Sequence, residues 1–165
     1  MKKLLSMIIA ALMVFTMTMP AYAKSISKKE ALNKALANAH QTKTTVKWIE
    51  VELDDDTGNY EVEFTVKKNK KKYEYEISHS TGKILEKSIN YHVSVPRKGK
   101  KIGKNAAIKK VAKYTGIKVS IIKKGRCTYD DHKYEVKFKK GKKKYEVDVV
   151  ARTGKIKEYE WKIIK

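Results

Sequence analysis

The sequence has a single cysteine, Cys127, so no intrachain disulfide can staple the fold and the core must rest on apolar packing. Without a positioned base or a surrounding motif, Cys127 reads as a spare small residue rather than a nucleophile. Proline is almost absent, with two in 165 residues, and only Pro96 punctuates the body of the chain. Acids are few, 18 against 39 lysines and arginines, for a net charge of +21. The four histidines, His40, His79, His92 and His132, are not spaced like a metal pair, and H-E-x-x-H does not occur. G-x-S-x-G, the Walker loop and G-x-G-x-x-G are missing too. These absences argue against an enzyme and leave no expected catalytic residue, metal or cofactor.

The one long apolar run, "LLSMIIAALMVFTM", stands near the N-terminus behind Lys2 and Lys3. It is short for a membrane span and closes on "AYA" at residues 21–23. That is the pattern of a Sec-type signal peptide over residues 1–23, cleaved near Ala23-Lys24. No cysteine lies near that point to carry a lipid anchor. The expected product is secreted, or retained at the cell envelope.

The rest of the chain is written twice. "SISKKEALNKALANAH" (25–40) aligns with "KIGKNAAIKKVAKYTG" (101–116). "YEVEFTVKKNKKKYEYEISHSTGKI" (60–84) returns as "YEVKFKKGKKKYEVDVVARTGKI" (134–156). The expected division is a first unit at 24–92, a linker at 93–101 and a second unit at 102–165. The linker belongs to a hinge that need not join the units rigidly. Charge separates the copies. Residues 24–95 hold 13 lysines and 11 acids, a net of +2; residues 96–165 hold 24 Lys/Arg and 7 acids, a net of +17.

Each copy opens with a helical pattern. Ser27 and Glu30 make a capping box, and Ala31, Leu32, Ala35, Leu36 and Ala39 form an apolar stripe. Ala107, Ile108, Val111 and Ala112 repeat that stripe before a stop at Gly116. Period-two alternation follows, first at 48–53. Tyr60, Val62, Phe64 and Val66 then face one way, as do Tyr73, Tyr75 and Ile77. Ile89, Tyr91, Val93 and Val95 are expected to form the last strand of the first copy. The second copy alternates through Tyr134, Val136 and Phe138, then Tyr145, Val147 and Val149, then Tyr159, Trp161 and Ile163. The expected class is α+β: two tandem small domains, each one N-terminal helix packed on an antiparallel sheet.

The lysine clusters 67–72 and 139–144 fall between alternating runs, so both are expected at hairpin tips. Asn69 and Gly141 occupy the same place, and both tolerate positive φ. A lysine tip can simply guard strand edges, or it can contact an anion. The anion reading is placed on the second copy: Lys139, Lys140, Lys142, Lys143 and Lys144, with Lys123, Lys124 and Arg126 nearby. Glu61, Glu63, Glu74 and Glu76 are expected on the wet face in ordinary cross-strand ion pairs. "DDDTGN" reads as a turn and not a calcium loop, because Gly58 is fifth where an EF-hand needs glycine sixth.

The order of these pieces resembles the PepSY family. The resemblance runs through Tyr60–Phe64, Tyr73–Ile77 and Thr81–Ile84, and again through Tyr134–Phe138, Tyr145–Val149 and Thr153–Ile156. It implies a fold similar to a β-lactamase inhibitor, a sheet backed by helices, with no catalytic residue. It also implies a protein partner, a peptidase modulated in trans near the cell surface. The alternative is a cationic protein held on teichoic acid or anionic lipid by its second domain. Sequence-specific nucleic-acid reading is not expected, since no recognition motif is present.

Overall fold

The computed structural model describes residues 25–164, so the expected signal segment lies outside the described residues. The first unit runs α1 (Lys28–Asn38), β1 (Val46–Leu53), β2 (Tyr60–Val66), β3 (Lys72–Ile77) and β4 (Ile84–Asn90). The second runs α2 (Lys104–Thr115), α3 (Val119–Ile122), β5 (Arg126–Asp130), β6 (Lys133–Lys140), β7 (Lys143–Val150) and β8 (Ile156–Ile163). All eight strands form one antiparallel sheet in the order β1-β2-β3-β4-β8-β7-β6-β5. The α+β class is as expected.

The strand order follows from local rules. Strands joined by short turns pair with their sequence neighbours, giving each unit a four-stranded meander. That leaves the last strand of each unit as an edge with unpaired backbone groups. The two edges satisfy each other: β4 pairs antiparallel with β8, with Glu86 opposite Lys162 and Asn90 opposite Glu158. The two units, which need not have been rigidly joined, therefore share one continuous sheet. The connecting segment is also tied down. Tyr91 N donates to Lys157 O (2.9 Å) and Ile102 N to Ala151 O (2.8 Å). Arg152 donates to Gly99 O (2.9 Å) and Pro96 O (3.3 Å).

The capping box of α1 forms as the sequence predicts. Glu30 N donates to Ser27 Oγ, and Ser27 N donates back to Glu30 Oε2 (2.7 Å). Ala31, Leu32, Ala35 and Leu36 bury one face of α1 over Val62, Phe64 and Ile77. In the second unit Ala107, Ile108 and Val111 of α2 cover Val136, Val147 and Val149. Gly116 ends α2 in the left-handed conformation, φ 69. Tyr159 packs against both cores and so links them.

Two local expectations need correction. The last strand of the first unit is Ile84–Asn90, not a run ending at Val95. Gly82 (φ 66) turns the chain and Ser78 N donates to Lys83 O (2.9 Å), so the strand resumes directly after the turn. The second unit carries an additional helical turn, α3, which buries Ile122 against its core. At the first lysine tip the left-handed residue is Lys70 (φ 59), not Asn69. Asn69 instead accepts from Lys71 N through its side chain (3.1 Å). Gly141 does take positive φ (59), and with Lys142 it makes a two-residue turn between β6 and β7.

Candidate functional site

Helices cover one face of the sheet. The other face is open, and strand register places its side chains in rows across both units. The lysines expected to contact anions lie at one end of it. Lys139, Lys140 and Lys142 are exposed on the β6–β7 hairpin. Lys144 stands opposite both Lys139 and Lys162 and is half-buried. Lys123, Lys124 and Arg126 are exposed around the start of β5. They adjoin this hairpin because Gly125 packs directly on the Lys137–Phe138 backbone of β6.

Lys143 departs from the expected set. Its Nζ lies 3.1 Å from the centre of the Trp161 ring, a cation–π contact on the helix side. Burial, and then the charge of Lys83, push its pKa below the ordinary lysine value. It therefore belongs to packing rather than to the exposed tip. The first-unit tip is more engaged: Lys67 Nζ donates to Thr44 O (2.9 Å) and Lys71 lies 4.7 Å over Tyr91.

The expected cross-strand ion pairing holds for Glu63 and Glu74, which share Lys72, but not for Glu61 and Glu76. In the first unit acids face acids. Glu50 is opposite Glu63, Glu52 opposite Glu61, Glu61 opposite Glu76, Glu63 opposite Glu74, and Glu76 opposite Glu86. Lys72 bridges Glu63 (2.8 Å) and Glu74 (2.7 Å). In the second unit Lys137 stands where the first has Glu63, and it bridges Glu135 (3.0 Å) and Glu146 (3.1 Å). Asp148 pairs with Lys133 through Oδ2.

One row crosses six strands as Glu146, Glu160, Ser88, Glu74, Glu63 and Glu50. The next begins with Lys139, Lys144 and Lys162 and continues as Glu86, Glu76, Glu61 and Glu52. Seven acids of the first unit and five of the second thus share the open face, twelve of the chain's 18.

This crowding moves the proton equilibria. Burial, then the charges of Asp54 and Glu76, raises the Glu61 pKa. Burial, then Glu160, raises that of Glu86. Burial, then Asp148, does the same for Glu158. Among the described residues, no three His, Cys, Asp or Glu side chains gather to hold a metal ion. Cys127 is buried and its thiol pKa is raised by desolvation. The "DDDTGN" segment closes on itself, Asp54 accepting from the N–H groups of Asp56 and Thr57.

The repeated helix-plus-meander agrees with a family model described as "Peptidase propeptide and YPEB domain", which matches residues 25–87 and 101–160. The chain belongs to the PepSY family. Among solved structures, the YpeB C-terminal domain of Bacillus megaterium is similar over 82% of this chain, with a TM-score of 0.50 and 14% identity. The chain spans 63% of that structure's length. A DUF2874 family protein from Bacteroides uniformis is similar over 76% of this chain and 83% of its own, with a TM-score of 0.30 and 14% identity. No curated protein sequence matches the chain.

The acidic face was the feature hardest to see in the sequence. Alternation identified Glu61, Glu63, Glu74 and Glu76 as one-sided. Only the register reveals that their cross-strand neighbours carry the same sign.

Proposed function

We propose that this PepSY protein is a non-catalytic binding module, exported to the envelope or beyond, that modulates a peptidase in trans. The observation that carries the reading is the family match over both units, in a family described by its peptidase propeptides. The two matches take up most of residues 25–160. A wide sheet face left open by the chain's own helices is a suitable docking surface. Deletion of the gene should change proteolysis in culture supernatant or envelope fractions, and the purified protein should restore the original level. Unchanged proteolysis in both fractions would remove the reading.

A second reading has its own observation. Lys139, Lys140 and Lys142 are exposed at one tip, in the half of the chain with a net charge of +17. They suit retention on an anionic polymer or lipid surface. Binding to cells should then fall steeply as salt rises. Neutralising those three lysines should release the protein, and binding indifferent to both changes would refute retention by charge.

A further inference from the structure

We propose that the acidic stripe of the open sheet face docks a lysine- or arginine-rich segment of a partner protein. This rests on the reading of the chain as a protein-binding module and adds the chemistry of the partner. The placement of charge is the first reason. A chain with 39 cations and 18 acids has no shortage of counter-ions, yet it gathers twelve acids on one face. Like charges directly opposite one another destabilise a sheet. The second copy relieves this from within the row through Lys137, where the first copy keeps Glu63 between Glu50 and Glu74 and meets them only with Lys72 from beside the row. The fold therefore tolerates lysine at this place in the sheet, and the acid row is not a requirement of folding.

A buried orphan oxygen on the same face is the second reason. Asp148 is 5% exposed and lines a depression with Glu146, Glu158 and Glu160. Its Oδ2 is held by Lys133, but its Oδ1 is buried and meets no donor. A buried acceptor without a donor is unfavourable, and an incoming ammonium or guanidinium supplies one. The third reason is shape. At a strand spacing of about 4.8 Å, the six-strand row extends about 24 Å. That is the length of roughly seven extended residues, and it matches a strand of peptide better than a single small cation. Lys139, Lys144 and Lys162 form the start of the neighbouring row, beside Glu146 and Glu160, and repel a basic segment from it, which sets where the segment lies.

The test is fluorescence anisotropy of a labelled oligolysine peptide titrated with the purified full-length protein. Saturable binding at low salt is expected despite the net charge of +21. The triple variant Glu50→Gln, Glu158→Gln, Glu160→Gln changes the six-strand row and the depression beside it; each of the three faces another acid, so the variant keeps side-chain size, removes repulsion and should fold. It should weaken binding about tenfold. Replacing Lys139, Lys140 and Lys142 with glutamine should leave binding equal or tighter. Absence of saturable binding, or equal binding by the acid-to-Gln variant, overturns the proposal. A low-salt dimer that excludes the peptide and disappears in that variant also overturns it, in favour of a second copy as occupant. Peptidase measurements keep the two readings apart. Activity modulated without peptide binding sinks this surface alone, and peptide binding without modulation sinks the peptidase reading alone.

Discussion

Lys72 is the natural place to perturb the acidic face, because its ammonium bridges Glu63 and Glu74. All three side chains are more than one-third exposed, so each bridge contributes only about 0.2–1 kcal/mol. Removing the ammonium also leaves Glu63 facing Glu74 uncompensated, about 0.2–1 kcal/mol more. Lys72→Gln should therefore cost about 0.6–3 kcal/mol at neutral pH and low salt, a drop of several degrees in Tm. Hydrogen bonding to Glu63 and then Glu74 raises the Lys72 pKa. Its contribution is thus complete below the ordinary lysine pKa and is lost only as pH rises through the raised value. Urea unfolding of wild type and variant, followed by tryptophan fluorescence, should give separate midpoints at neutral pH and low salt. The midpoints should approach each other as added salt screens the exposed charges. Equal midpoints at low salt, or a deficit undiminished by salt, would refute this account of the face.

Glu61→Gln should act in the opposite direction. An acid whose folded pKa is raised weakens the fold above that value, so the variant should be the more stable protein at pH 7. The gain should vanish below the ordinary glutamate pKa, as a comparison of midpoints at the two pH values would show. Gly125→Ala should destabilise by about 1–3 kcal/mol, through overpacking. Its Cβ would lie 2.0 Å from Lys137 O, and the loss should appear in thermal unfolding. Ser27→Ala removes the capping box of α1 and should cost about 1 kcal/mol, with faster hydrogen exchange confined to the first turn.

Much of this architecture was legible because it is local. Ser27 and Glu30 cap a helix whatever surrounds them, and the alternation at Tyr60–Val66 survives any packing arrangement. Gly116 stops α2 for the same reason. What escaped depends on partners distant in sequence. The β4–β8 pairing joins residues roughly 70 apart and has no turn to announce it. Lys143 looks like its neighbours in "KKGKKK", yet Trp161, on the adjacent strand, draws it onto the helix side. Val119–Ile122 is a short apolar run, and such a run is ambiguous until packing decides.

The joined sheet also changes what the duplication can mean. Two separate copies would each offer a small face, one nearly neutral in overall charge and one basic. Pairing β4 with β8 aligns their rows, so Glu86 continues the line that begins at Lys139, Lys144 and Lys162. The sign change from lysine to glutamate falls at the junction between the units, between Lys162 and Glu86. Neither copy alone contains that boundary. Separating them would expose two long strand edges, which favours aggregation over a fair measurement of either half. Charge substitutions within the intact sheet are consequently the informative experiment. A partner sensitive to both Glu76 and Lys144 would be reading the face as a unit.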